Sequence, residues 1–463
     1  MTQASVQRIM GQFWKNKLLL FTGVVTGVLI VIHLNLRGYA FDDAYIHFRI
    51  ATHLAEHGQP FFNLGEAVMA STSTGWTILL AILTRALQLL RIPTDLPIIV
   101  SIINAAASGA GAAIYLAVFN QLIPKPHHWV IDLLFYFTYL GIVLPSSIGL
   151  MEIPVSLMIA GLIILLLIKR NHWSLVGLGV LPFFRPELIV VAGLAILLII
   201  LTKRFTAREV ILFTFIGATP FIVYELYFFR TLIPNTVTTK SIVYSLTNVA
   251  AAKYFIQKIF DDLALLGMAI KISFTQQIIY AGFVLWVIVS FIFIFCYKTF
   301  RQFMNRKSLD EVDLLGWLLL LWCLSIVSVY LYKRIFIFSW YDPLYAVPIS
   351  LVMGFIIFNR QKKNLYPVMA IMLLPLMLGQ ISSLVQVGLG AFVDVRYAPE
   401  FLFSARVRNY LQVGRQLYEK YPQARLMTSE IGGIGYSFQG YIYDGVGLVS
   451  PEALKYHPIS GAN

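Results

Sequence analysis

The sequence predicts an all-α polytopic membrane protein that ends in a small α/β segment, and three observations predict it. Apolar residues of the Ala, Val, Ile, Leu, Met, Phe, Trp, Tyr and Cys class make up 59% of the 463 residues, whereas Asp, Glu, Lys and Arg make up 12%. A soluble chain carries about 25% charged residues, so this one lacks the charge to cover a surface in water. The mean hydropathy of +0.77 agrees, and so does the second observation, a succession of apolar runs on the scale of the roughly 20 residues needed to cross a bilayer. Third, the last 75 residues contain 13 charged ones, a clear change of character. Aromatic residues at 14% suit anchoring at the bilayer edges. Disorder, a collagen repeat and a disulfide scaffold are excluded.

The first apolar run follows Lys15 and Lys17 and extends from Leu18 to about His33. It lacks a small-x-small cleavage site, so it reads as a retained first crossing rather than a cleaved leader. Further runs fall at 97–119, 129–145, 151–168, 173–184, 187–201, 210–228, 279–297, 313–331, 343–358 and 365–385. The 173–184 and 187–201 pieces are short and read as a pair broken by Pro182 and Pro186. With a cytoplasmic N-terminus, the inner turns receive Lys125, Lys169-Arg170, Lys203-Arg204-Arg208, Lys298-Arg301-Arg306-Lys307 and Arg360-Lys362-Lys363. This is the positive-inside pattern. It requires the stretch 75–92 to lie on or dip into the outer face, and about eleven crossings result. Residues 1–388 are then a membrane unit with an outer loop at 36–96, and 389–463 a soluble outer-face segment. In that segment 400–420 reads as a helix and Arg425–Ser429 as a strand.

The net charge of +13 would suggest nucleic acid in a soluble protein. Here the excess lies in short stretches between apolar runs, so membrane lipid is the expected partner and nucleic acid is not. Cys296 and Cys323 lie inside apolar runs and form no metal-binding thiol set.

Phe41-Asp42-Asp43-Ala44-Tyr45-Ile46-His47-Phe48-Arg49 puts two adjacent carboxylates just past the first crossing, at the outer bilayer edge. Their repulsion near a low-dielectric region raises the pKa of at least one, which suits a general base for an alcohol. A plainer role is also open, in which Asp42 or Asp43 caps a helix running from 44 to 57. His47 falls one helical turn after Asp43 and would orient it or bind a metal. Asn63 and the Ser71–Gly75 run supply neutral hydrogen-bonding groups for a sugar, or for turns and caps. Arg185 and Glu187 flank Pro186, just after Pro182, at bilayer depth, where unpaired charge is costly. Arg185 suits a lipid-linked phosphate, or simply an ion pair with Glu187. Glu152 adds a carboxylate on another outer turn, while Asn235, Lys240 and the Lys333-Arg334 pair bring polar and basic groups to the same side.

These motifs together resemble the GT-C superfamily of membrane glycosyltransferases, including its bacterial arabinosyl- and mannosyltransferase-like members. The resemblance rests on Asp42–Arg49 followed by Gly58–Glu66, then Gly149–Glu152, Phe184–Glu187, Leu232–Thr236, Gly432–Tyr436 and Asp444–Leu448, in order along most of the chain. It implies a GT-C fold and an inverting transferase at the outer face of a bacterial inner membrane. The enzyme would take a polyprenyl-phosphate sugar donor and a glycan or lipid acceptor. It implies Asp42 as the catalytic base with Asp43 beside it. Arg185, Lys240 and Arg334 would contact the donor phosphate, and His47, Asn63, Glu152, Glu187 and Asn235 the substrates. No cofactor is required by the residues, and a divalent metal stays open. The alternative is a transporter or flippase of lipid-linked sugars. Against it, the chain has no inverted repeat in its Pro and Gly breaks, and its distinctive polar residues lie mainly in outer loops.

Overall fold

In the computed structural model the described residues are 3–122, 129–251, 253–255, 257–258, 293, 297, 311–358 and 366–457. They are overwhelmingly helical. The helices are α1 Gln3–Leu36, α2 Asp42–His57, α3 Thr74–Leu89, α4 Leu96–Leu122, α5 Trp129–Ile148, α6 Ile153–Ile168, α7 Trp173–Phe184, α8 Leu188–Leu201, α9 Ala207–Phe229, α10 Asn235–Val243, α11 Glu311–Lys333, α12 Pro343–Phe358 and α13 Tyr366–Phe392. Two more, α14 Ala405–Lys420 and α15 Gly432–Phe438, alternate with strands β1 Arg425–Thr428 and β2 Tyr441–Asp444.

Among the described residues, five stretches are long and apolar enough to cross a membrane: Lys17–Tyr39, Leu96–Leu122, Trp129–Ile148, Ala207–Phe229 and Leu315–Lys333. Shorter apolar helices include α3, α6 and the α7–α8 pair, which breaks between Phe184 and Leu188 at Pro186, whereas Pro182 lies inside α7. The run expected at 279–297 lies outside the described residues, apart from 293 and 297.

Small residues let the helices approach closely. A Cβ on Gly179 of α7 would lie 2.0 Å from the Thr214 carbonyl of α9, and one on Gly217 of α9 would lie 2.1 Å from that of Val176. The α9 N-terminus is fixed by a capping box in which Thr206 accepts from the Glu209 amide and Glu209 accepts from the Thr206 amide.

Three faces of α2 meet three environments, as a 3.6-residue period requires. Ala44, Tyr45, Phe48 and Ala51 enter the main helical core. Ile46 and Ile50 join Phe62, Ile431, Phe438 and Ile442 in a second core under the C-terminal segment. Asp43 and His47 turn toward α10 and the α5–α6 turn. The C-terminal strands pair in parallel, Arg425 opposite Tyr441 and Thr428 opposite Asp444. The helix expected over 400–420 is split into a 3-10 turn, Pro399–Ser404, and α14. Its partner strand β2 carries no alternation that marks it in the sequence.

Candidate active site

Phe41 sets the position of the two aspartates. Its amide donates to the Gly149 carbonyl at 3.0 Å, and its ring covers Gly149 so closely that a Cβ there would lie 2.2 Å from ring carbons. The start of α2 is thereby locked to the α5–α6 turn that carries Glu152. The helix begins at Asp42, and no side chain caps it. The capping role considered for the pair is thus displaced. The Asp42 carboxylate instead accepts from the Gly432 and Gly433 amides, 2.8 Å each, at the start of α15. Only glycine fits at 432, since a Cβ would lie 1.9 Å from the Asp42 carbonyl oxygen. Burial pushes the Asp42 pKa up to about 6, with repulsion from Asp43 and Glu430 adding to it and the two amides opposing it.

A closed circuit of polar contacts runs on from Asp43. Its carboxylate lies 3.6 Å from the Lys240 ammonium. Lys240 donates to the Tyr341 hydroxyl at 3.4 Å and lies 5.1 Å from the Phe338 ring centroid. The Tyr341 ring carries the Arg185 guanidinium at 4.1 Å. Arg185 donates to Glu187 through two nitrogens and to Glu152 through a third. Tyr330 also donates to Glu187, at 2.6 Å, and Ser73 to Glu152, at 3.1 Å. His47 Nε2 lies 3.9 Å from the second Glu152 oxygen, and its Nδ1 pairs with the Ser71 hydroxyl at 3.0 Å. One helical turn returns from His47 to Asp43.

Burial shapes the protons of this circuit. It holds the His47 imidazole below its ordinary pKa despite the neighbouring Glu152. It would raise Glu152, but the charges of Arg185 and His47 and the hydrogen bonds to the carboxylate together outweigh it, and the carboxyl stays below its usual range. Burial likewise works against the Lys240 ammonium, and Tyr341 and Asp43 together outweigh it, so the pKa of Lys240 lies above the ordinary value.

A cavity of about 130 Å³ opens beside the circuit, between α2, α10, the 338–340 stretch and the C-terminal segment. Asp42, Asp43 and Lys240 line it, with Arg406 and Glu430 on the C-terminal wall. Arg406 pairs with Glu430 at 3.2 Å and stacks on Phe403 at 3.9 Å.

The sequence-predicted residues thus divide. Asp42, Asp43 and Lys240 share the cavity. His47, Glu152 and Arg185 form the buried remainder of the circuit with the half-buried Glu187, and Arg185 is 1% exposed with two carboxylates already on it. Asn63 lies elsewhere, matching both the carbonyl and the amide of Ile442 in β2. Asn235 donates to the Gly447 and Leu448 carbonyls. Arg334 lines a separate open hollow with Lys333 and Asn248, and donates to the Asn248 side chain at 3.0 Å. The Asp444–Leu448 element is a turn in which Asp444 accepts from the amides of Val446, Leu448 and Val449.

Sequence reasoning missed Tyr341, Tyr330, Arg406 and the anchoring role of Arg49. Arg49 spends its donors on the carbonyls of Phe62, Gly435 and Gly440. Only Tyr341 had a signal, its place in the polar Ser339–Asp342 break between apolar runs. Among the described residues, no three His, Cys, Asp or Glu side chains converge as a metal-binding group. No family model matches the chain, and no curated protein matches it.

Proposed function

We propose that this protein is an inverting GT-C-type glycosyltransferase that moves a sugar from a polyprenyl-phosphate donor to an envelope glycan or lipid acceptor. The observation that carries the reading is the Asp43–Lys240 pair, a carboxylate and an ammonium 3.6 Å apart on the wall of one cavity beside Asp42. Inverting transfer from a lipid phosphate needs one base and one cation. It does not need the acid-and-base carboxyl pair of an inverting glycoside hydrolase.

In this mechanism a carboxylate takes the proton of the acceptor hydroxyl while the hydroxyl oxygen attacks the anomeric carbon. The bond from that carbon to the lipid phosphate breaks on the opposite face. The phosphate leaves with the electron pair, and its developing charge is met by Lys240. Both aspartates face the cavity, but the oxygens of Asp42 already accept the Gly432 and Gly433 amides. This favours Asp43 as the base, and Asp42 as the group that ties the C-terminal wall to α2. Arg185, held between Glu152 and Glu187, supports the Tyr341 ring, so the phosphate role falls to Lys240 in its place.

The membrane arrangement that goes with this reading has about eleven crossings, a cytoplasmic N-terminus and the cavity at the outer face of a bacterial inner membrane. The charge pattern of the turns supports it. Purified protein in nanodiscs, given a radiolabelled polyprenyl-phosphate sugar and an envelope extract, tests the activity. A new glycosidic product supports the reading. Counterflow of intact donor across vesicles without product would instead make the protein a carrier of lipid-linked sugars.

A further inference from the structure

A second opening lies across the wall formed by Phe41 and Trp340, whose rings are 4.9 Å apart and line both spaces. It is a groove of about 300 Å³ where α5, the 339–346 stretch, α13 and the Glu400–Phe401 turn meet. Its floor forms where α5 and α13 cross at Gly141, which packs against backbone; a Cβ there would lie 2.4 Å from the Gln380 carbonyl oxygen.

The chemistry of the groove is distinct from that of the first cavity. Gln380, Ser382, Ser383 and Gln386 line it from one stretch of a helix that is otherwise apolar. Polar side chains in such a helix are costly unless used or partnered. The side chains of these four make no hydrogen bond among the described residues. Trp340, also lining the groove, has a buried indole N–H with no partner among the described residues. Glu400 and Asp342 line it too, Asp342 with its carboxylate 2.9 Å from the Lys258 ammonium, and among the described residues no Lys, Arg or His lines it.

We propose that this groove seats the acceptor and that the acceptor is a neutral glycan, an inference that rests on the transferase reading. Serine hydroxyls, glutamine amides and an indole N–H match the mixed donors and acceptors of sugar hydroxyls. A phosphorylated or otherwise anionic acceptor would meet the Glu400 carboxylate, with Asp342 already holding Lys258 and no cation among the described lining residues. An acyl chain would leave the serines and glutamines desolvated without partners. A glycan lying along α13 reaches the Asp43 cavity past the shared Phe41–Trp340 wall, with its attacking hydroxyl on the far side of that wall from the rest of the chain.

The test uses the full chain in phosphatidylcholine nanodiscs, with neutral oligosaccharides released from the envelope as the probe and the acidic oligosaccharide fraction as comparison. Saturation-transfer NMR should report contact with the neutral fraction. Ser383→Leu combined with Gln386→Leu should weaken it by about tenfold, the loss of two neutral hydrogen bonds, while Ser383→Thr retains it. In the transfer assay the same double variant should raise the acceptor KM. Equal binding by the double variant, preference for the acidic fraction, or sugar transferred only into lipid-soluble product without glycan contact overturns the proposal while leaving the transferase reading standing. Glycan contact that the double variant loses, in a protein that never cleaves donor, would support the groove and sink the transferase reading.

Discussion

Replacing Asp42 and Asp43 singly by asparagine should produce two different failures. The Asp42 carboxyl titrates near pH 6 in the folded protein because it is buried against α15, against about 3.9 for an unfolded aspartate. The folded state therefore holds this proton more tightly than the unfolded state. The resulting stabilisation is complete below about pH 4 and is lost as pH rises through 6. Two pKa units correspond to up to roughly 3 kcal/mol. Asp42→Asn has nothing to titrate and trades one of its two amide bonds for a donor facing a donor, costing about 1–2 kcal/mol. Thermal unfolding in nanodiscs, followed by tryptophan fluorescence at pH 4, 5, 6 and 7, should therefore find the variant gaining on the wild type as pH rises. Asp43→Asn removes a pair whose side chains are 29% and 20% exposed, worth within about 1 kcal/mol. Its unfolding midpoint at pH 7 should stay within a few degrees of the wild type, while turnover falls by about 100-fold or more. A pH-independent stability gap between wild type and Asp42→Asn would refute the burial argument. Normal donor turnover by Asp43→Asn would refute its role as base.

Arg185→Ala leaves the buried Glu152 carboxylate without its cation and the half-buried Glu187 without its partner, so it should cost roughly 3–5 kcal/mol and be read as a lowered unfolding midpoint. Lys240→Met, on the cavity wall, should instead leave the midpoint within a few degrees and raise the donor KM or lower kcat by about 100-fold. Arg334→Ala should leave donor KM within about twofold, since Arg334 lines a different hollow; a larger rise would return it to the donor site. For topology, cysteines at the exposed positions Met427 and Arg208 should differ in intact cells, the first labelled by an impermeant reagent and the second protected. The reverse pattern would invert the protein in the membrane.

What could be read from the sequence follows chain distance. The helices were legible because length and apolar runs are local properties, and the Phe184–Leu188 break announced itself through Pro186, while Pro182 is accommodated inside α7. The Arg185–Glu187 pair was legible for the same reason, two charges within one turn at bilayer depth. Asp43 and His47 fell on one face by helical spacing alone. The partners of Asp42, Asn63 and Asn235 were not legible, because they lie 390, 379 and 212 residues away. An asparagine that matches a strand edge looks the same in sequence as one that binds a sugar. Tyr341 was hidden for a related reason: its ring supports Arg185 and its hydroxyl meets Lys240, residues from two elements that only the fold brings together.

The C-terminal segment is part of the candidate site because α2 is read on more than one face at once. Asp42, Ile46 and Arg49 recur at spacings of four and three, and all three engage that segment, through the Gly432 and Gly433 amides, the second core and the Gly435 and Gly440 carbonyls. Asp43 and His47, each one position along from Asp42 and Ile46, are rotated by about 100° and meet Lys240 and Glu152 instead. A single rigid helix therefore sets the distance between the wall that carries Arg406 and Glu430 and the circuit that carries Lys240. Asn235 and Thr239 close the third side, since α10 brings Lys240 to the cavity while those two residues bond the Gly447 and Leu448 carbonyls. The acid, the cation and the wall are thus held by three elements that each grip the C-terminal segment or α2 through buried polar contacts. A shift of any one would change the Asp43–Lys240 distance on which the proposed chemistry depends.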